Sequence, residues 1–267
     1  MKRAVHPVAM PIGRRHPELP EPAFQISTGI SGLPVESPLA IEVNGVPRAT
    51  LLCTPEALEE LVVGWCFGQG FVESVADLAS VRFKSGRGAI MLNRSLPGGH
   101  DWREQLTAGF DASLARSPIA KLTTPPERDG VVVPANRLIA SVNELFDRFR
   151  QSNAPLGNHF AGLHDFASDA QMIFHDFSRH NATDKLIGWG VLTKLSFERT
   201  ALVLSGRISS DLVYKAMRAG IKIVATRALT SAQAVRLAQG AGITIVARAL
   251  DAERTTFTHP WRIDRNH

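Results

Sequence analysis

One run of eleven residues gathers most of the side chains that could do chemistry: His175-Asp176-Phe177-Ser178-Arg179-His180-Asn181-Ala182-Thr183-Asp184-Lys185. It lies between an expected strand, 171–174, and an expected helix, 182–195. Asn181 stands where an N-cap belongs, with Asp184 three residues on, near a capping-box position. So many ionisable groups would be costly in a core. At the mouth of a strand–loop–helix turn they are well placed, because free backbone N–H groups and the helix dipole favour an anion there. An ordinary capped helix with a solvated turn has the same composition, so the run alone assigns no function.

The elements that must position this run come from the carboxyl-terminal half. Leu138, Val142, Leu145, Phe146 and Phe149 recur at helical spacing after Pro134. Strands then alternate with helices: strand 200–204, a helix capped by Ser209 and ending near Gly220, strand 221–225, a helix capped by Ser231 and ending near Gly240–Gly242, strand 243–247, and a short return at 255–257. This alternation predicts a mostly parallel sheet covered by helices. Ligands of such sheets bind outside the carboxyl ends of the strands. Three loops leave that edge, 175–181, Ser205-Gly206-Arg207-Ile208 and 226–231, bringing Arg179, His180, Arg207 and Arg227 beside three helix N-termini. A phosphate or pyrophosphate is the natural guest. His and Asp beside these cations also make acid–base chemistry conceivable, though the spacing does not require it.

The amino-terminal half is of another kind. Residues 1–22 read as a Pro-rich arm with Lys2, Arg3, Arg14 and Arg15 and no apolar core of a leader. Two expected strands, 39–43 and 48–52, flank Asn44-Gly45, a hairpin-turn signal. Thr54-Pro55-Glu56 reads as a helix start, and Leu58, Leu61, Val62, Trp65 and Cys66 as the buried stripe of that helix. A second hairpin, 81–84 with 89–92, completes a small α+β lobe. The expected organisation is an arm at 1–22, a small lobe at 23–110, a linker at 111–133 and an α/β lobe at 134–267. The 267 residues carry a net charge of +5, spread rather than blocked, which suits an anionic partner without indicating nucleic acid. Two cysteines, Cys53 and Cys66, and no CxxC argue against a disulfide framework and a cysteine-rich zinc site. No run reaches membrane-spanning length, so the cytoplasm is the expected compartment.

Several motifs, in order, resemble the formate dehydrogenase accessory (sulfur carrier) family. The run at 175–185 is similar to that family's E-D-V-G-R-H-N-A-x-D-K signature; Arg179, His180, Asn181, Ala182, Asp184 and Lys185 match, and His175 and Ser178 depart. Asn44-Gly45, Thr54-Pro55, Leu58, Leu61, Gly64 and Gly70 follow its amino-terminal pattern. Gly162 and His164 match its G-G-x-H-A-A motif, with Ala161 for the first glycine. Ser205-Gly206-Arg207-Ile208-Ser209 resembles its S-G-R-x-S, continued by Val213, Lys215, Ala216, Ala219, Gly220 and Ile221. The close, Phe257 to Ile263, resembles Y-T-H-P-x-R-I.

The resemblance implies a two-lobed protein with a small α+β lobe and a larger cytidine-deaminase-like α/β lobe. It implies a formate dehydrogenase maturation factor that binds the molybdenum bis(molybdopterin guanine dinucleotide) cofactor, for which guanosine diphosphate is a mimic. The implied cofactor contacts are Gly162, His164, Asp176, Arg179, His180, Asn181, Lys185, Ser205, Gly206 and Arg207; Arg227 joins them from its place on the loop edge, and Arg248 by position alone. Formate dehydrogenase is the implied client, a cysteine desulfurase a candidate sulfur donor, and a homodimer a candidate state; nucleic acid, membrane and zinc are not expected. The zinc deaminase signature is absent, which argues against deamination. The family's Cys-x-x-Cys pair, associated with persulfide, is also absent: the comparable stretch, 112–121, offers Ser113 and Ser117, and a hydroxyl forms no persulfide. That departure leaves a rival reading, a divergent paralogue acting as a cofactor chaperone or regulatory binding protein without sulfur transfer. Sulfur transfer through Cys53 or Cys66 ranks last, since both fall around an expected buried helix.

Overall fold

The computed structural model describes residues 32–84, 86–95 and 129–266. The arm at 1–22 and the stretch containing Ser113 and Ser117 lie outside the described residues. In the amino-terminal part, β1 (Ser37–Val43) and β2 (Val46–Cys53) form a hairpin that turns at Asn44-Gly45. Both turn residues have positive φ, 52° and 74°, a conformation that Asn and Gly tolerate and a two-residue hairpin needs. A second hairpin, β3 (Leu78–Lys84) with β4 (Arg87–Leu92), joins the first through parallel pairing of β1 with β4, giving the order β2-β1-β4-β3.

Helix α1 (Leu58–Gly68) covers this sheet. Thr54 does not cap it: the helix starts four residues later, after Ala57 in the left-handed region at φ 51°. Thr54 is spent on a distant partner instead, its amide donating to Asp176 Oδ2 at 3.1 Å and its hydroxyl accepting from the Phe177 amide at 3.1 Å.

The larger sheet has the order β11-β10-β9-β8-β6-β7. Its strands are β6 (His159–Asp165), β7 (Ala170–Asp176), β8 (Thr200–Leu204), β9 (Ile223–Thr226), β10 (Thr244–Ala247) and β11 (Thr255–Thr256). The expected α/β class holds, but the sheet is mixed. Parallel pairing is confined to β8, β9 and β10, while β6–β7, β6–β8 and β10–β11 are antiparallel. The reason is local. The turn at 166–169, with Asp169 at φ 62°, returns the chain as a hairpin, where a parallel neighbour would need a long crossover. Two short strands, β5 (Val133–Pro134) and β12 (Ile263–Asp264), pair separately.

Alternation along each strand sorts the core into two layers. Val203, Ile223 and Ala225 face α2 (Ala135–Gln151), whose Leu138, Val142 and Leu145 stripe meets them. Leu202, Leu204 and Val224 face the opposite layer, formed by α3 (Arg179–Leu192), α4 (Ser210–Ala219) and α5 (Ala232–Ala241). Helix α3 is buried nearly all round. Ala182 and Leu186 belong to the large-sheet core, Ile187 and Val191 to that of the small sheet. It therefore has no polar face, as expected of a helix packed on both sides. It crosses α1 at two glycines: a Cβ on Gly64 would overlap the Asp184 carbonyl, and one on Gly188 the Glu60 carbonyl. Only glycine allows backbones this close.

Candidate functional site: a cationic edge of the large sheet

The register places five chain segments at one edge of the large sheet. His159 opens β6 opposite Asp176, the last residue of β7, while Ser205, Arg227 and Arg248 immediately follow β8, β9 and β10. The N-termini of α3, α4 and α5 open at the same edge, as the three-loop reading required. Backbone bonds lace the loops together: Ser205 N–H donates to Phe160 O, Ile208 N–H to Leu229 O, Ser231 N–H to Ile208 O, and Arg248 N–H to Ala228 O. The Thr226 hydroxyl donates to Gly206 O at 2.8 Å. A rigid rim results, not a set of independent loops.

Helix α3 begins earlier than its sequence suggested, and this reassigns two residues. The N-cap is Ser178, whose Oγ accepts from the His180 amide at 3.3 Å. Asn181, read as the cap, lies inside the first turn and is buried. Its Nδ2 donates to Leu52 O at 2.8 Å and to Asp176 Oδ1 at 3.0 Å, tying β2 to β7. The capping-box role for Asp184 fails with it. Asp184 is buried with Lys215 Nζ at 2.5 Å, and burial pushes its carboxyl up against the pull of that ammonium.

Asp176 and Lys185 form the fixed centre beneath the run. Asp176 is 0% exposed and Lys185 1%. Lys185 Nζ donates to Asp176 Oδ2 at 2.7 Å and to the carbonyls of Thr54 and His175, each at 3.1 Å. An ammonium has three N–H donors, and all three are used. Asp176 accepts as well from Thr54 N–H, Ser178 N–H and Asn181 Nδ2. These residues hold β2, β7 and α3 in one arrangement and leave no donor on Lys185 for a ligand.

Above this centre the charged groups open outward. Arg179 is half-buried, and its Nε is buried with no hydrogen-bond partner. Its Cδ lies against Gly206, where an added Cβ would come within 3.2 Å of it and 3.3 Å of His159 Nδ1. His159 Nδ1 lies 3.3 Å from Ser205 Oγ, which also accepts from the Phe160 amide at 2.9 Å. Burial lowers the His159 pKa below the ordinary histidine value, and the charges of Arg179 and His180 lower it further. His180 pairs with Asp211 in the first turn of α4. Burial pushes the Asp211 carboxyl up, but the bond and charge of His180, with the bonds from Ser209 and from its own amide, together outweigh it and leave it below the ordinary range.

Arg207 is exposed and makes no hydrogen bond among the described residues. Arg227 is exposed too, its guanidinium 4.8 Å above the Phe146 ring. Arg248 is turned to its own loop, bonding Asp251 and Glu253 at 2.8 Å each; those bonds raise its pKa.

The edge thus brings together Asp176, Arg179, His180, Asn181, Lys185, Ser205, Gly206, Arg207, Arg227 and Arg248. It does not include Gly162 or His164. Gly162 lies mid-strand, where an added Cβ would press on Leu145 at 3.0 Å. His164 lies five residues along β6 from His159, on the other face, about 17 Å away at ~3.4 Å per residue. His159 was missed by sequence reasoning. Its signal was weak: one polar residue opening an apolar strand whose pairing with β7 was not foreseen. Among the described residues no His, Cys, Asp and Glu cluster suits a metal ion.

A family model described as the FdhD/NarQ family matches residues 34–264, most of the chain. The chain belongs to the FdhD/NarQ family. Its relatives include the sulfur carrier protein FdhD of Methanothermobacter thermautotrophicus, 28% identical over 224 residues, covering 84% of this chain and 88% of that one. The protein of the same name from Staphylococcus aureus is 30% identical over 246 residues, with 85% and 88% covered. A crystal structure from Desulfotalea psychrophila, assigned as a formate dehydrogenase accessory protein, has the same fold, with a TM-score of 0.67 at 23% identity over 87% of this chain and 90% of that one. The FdhD/NarQ assignment agrees with the motif order in the sequence. The cysteines of this member are both buried. Burial pushes the Cys66 thiol well above its ordinary value, and burial followed by the charge of Asp176 pushes Cys53 up to about 11.

Proposed function

We propose that this chain is a formate dehydrogenase maturation factor. Its cargo is the molybdenum bis(molybdopterin guanine dinucleotide) cofactor, whose phosphates it binds at the cationic edge. One observation carries the reading: three helix N-termini open on a rim where Arg179 Nε is buried and unpartnered and Arg207 has no partner among the described residues. Dipoles, free amides and guanidinium forks together select a phosphate over a neutral ligand. Gly206 adds the shape, since its missing Cβ leaves room beside Arg179. In this account Arg179, Arg207 and Arg227 hold phosphate oxygens, Ser205 and His159 line the floor, and Asp176, Asn181 and Lys185 keep the floor rigid.

A second reading concerns sulfur. The chain has two cysteines, Cys53 and Cys66, each with its thiol buried and its thiolate disfavoured. A persulfide relay needs an exposed thiolate. That supports a cofactor chaperone or regulatory binding protein without sulfur transfer of its own.

Calorimetry with guanosine diphosphate tests the ligand edge. The parent binds, and Arg207→Ala loses about 1.5–3 kcal/mol if its guanidinium bonds a charged phosphate. Equal affinity in parent and variant removes Arg207 from the site.

A further inference from the structure

His159 gives the cationic edge a titratable group on its border. It opens β6 in register with Asp176, and its neighbour Phe160 packs on α2, so the His159 ring projects to the opposite face, toward α3. There it borders the gap left by Gly206. A Cβ on that glycine would come within 3.3 Å of His159 Nδ1 and 3.2 Å of Arg179 Cδ. The ring is partly exposed: Nδ1 lies 3.3 Å from Ser205 Oγ, while Nε2 has no partner among the described residues and is not buried. The terminal nitrogens of Arg179 are open in the same way, only its Nε being buried. A ligand seated over the Gly206 gap is therefore bordered by an imidazole and a guanidinium.

The Ser205 hydroxyl makes this arrangement sensitive to one proton. Its oxygen accepts from the Phe160 amide at 2.9 Å, leaving one lone pair and one hydrogen. With the ring neutral and protonated at Nε2, that hydrogen fills the contact to Nδ1. With the ring charged, both ring nitrogens donate. The Nδ1 hydrogen then takes the remaining lone pair, and the hydroxyl hydrogen is released to another acceptor. One added proton thus supplies a positive charge and frees an O–H donor, and both favour an anion.

In the empty edge the surrounding charges hold that proton off. Facing the ring are Arg179 and His180 of α3, the latter bonded to Asp211 of α4, and Asp176 across the strand pair, whose charge is met by Lys185. Burial lowers the His159 pKa, and the charges of Arg179 and His180 lower it further. A phosphate against Arg179 offsets one of those charges and places a negative one beside the ring, so the bound state favours the imidazolium.

We infer that phosphate binding at the cationic edge is proton-linked: a pyrophosphate diester seated against Arg179 draws a proton from solvent onto His159, and affinity rises as pH falls. The inference rests on reading the edge as a phosphate site and adds its regulation. By reciprocity, a rise of about one pKa unit on binding makes the protonated form bind about tenfold more tightly.

A terminal phosphate titrates near pH ~6 itself, so the probe is a guanosine diphosphate sugar, whose phosphates are both diesters. Calorimetry on the whole chain, in phosphate-free buffers of differing ionisation enthalpy from about pH 5.5 to about pH 8, counts the protons taken up. Uptake should approach one where the ring is neutral when free and charged when bound, and vanish at the alkaline end. Affinity should be about three- to tenfold tighter at the acid end. His159→Gln should show no uptake and a flat affinity. Ser205→Ala should lose more affinity at the acid end than at the alkaline end, which keeps the inference testable if His159→Gln does not fold. Binding without proton uptake, or uptake that survives in His159→Gln, would overturn the linkage and leave the phosphate edge standing. Absence of binding at every pH would remove the phosphate reading, and the linkage with it.

Discussion

Lys185 is where a ligand role and a framework role make opposite forecasts. Lys185→Met keeps the volume of the stem and removes the ammonium. Three bonds vanish, to Asp176 Oδ2 at 2.7 Å and to the Thr54 and His175 carbonyls at 3.1 Å. Asp176, 0% exposed, is then left with only Thr54 N–H, Ser178 N–H and Asn181 Nδ2 as donors. Removing one partner of a buried pair costs about 3–5 kcal/mol, because the survivor is left desolvated without its counter-charge. The Thr54 carbonyl keeps the Glu56 amide as a donor at 2.8 Å, so the two carbonyls do not add two full orphan penalties. Urea unfolding at neutral pH reads it as a lower midpoint at unchanged slope. Guanosine diphosphate affinity measured on the folded fraction should change far less. A variant as stable as the parent that has lost the nucleotide would refute the framework role and put Lys185 among the ligand contacts.

Three further outcomes follow from the same geometry. Asn181→Ala should cost about 2–4 kcal/mol, from one neutral and one charge-assisted buried bond, whereas Ser178→Ala should cost about 0.5–1 kcal/mol, the low end for a cap given its 3.3 Å bond; the reverse order in chemical denaturation would restore Asn181 as the cap. His159 should titrate below the ordinary histidine value by NMR, and Arg179→Gln should raise it. Since the depressed value favours the neutral ring in the fold, its contribution is present above the unfolded-state pKa and fades as pH falls through the folded one; a stability profile from pH 7 to 4 that His159→Gln does not flatten would contradict this. Incubation with a cysteine desulfurase and labelled cysteine should leave no sulfur on the chain, and Cys53 and Cys66 should resist thiol reagents until unfolding; label retained on the parent and lost from Cys53→Ser, Cys66→Ser would establish a sulfur relay.

What the sequence made legible has a physical pattern. Asn44-Gly45, Ser231, Gly220 and Gly242 act locally, through positive φ or a side-chain cap, and each ends or turns an element where expected. The cationic edge was also readable, because alternating strands and helices fix which loops share an edge. The misplacements came from distant partners. Thr54 and Asn181 carry the residue types of caps, yet their bonds go to Asp176, more than a hundred residues away for Thr54, and to Leu52. Local spacing holds no record of such bonds. The hairpin of β6 and β7 was hidden for a related reason, since Asp169 turns the chain without the glycine that usually announces a turn. Gly162 and His164 were grouped with the edge by motif, and only the register shows them mid-strand and near the far end.

The central claim is that the guanine-dinucleotide end of the cargo rests on the edge formed by α3, α4 and α5. Amide NMR of the whole chain titrated with guanosine diphosphate tests it most directly. The account predicts saturable shifts at Arg179, Gly206, Arg207 and Arg227, with Gly162 and His164 undisturbed. Shifts centred on Gly162 and His164, or none along the rim at saturating nucleotide, would contradict it.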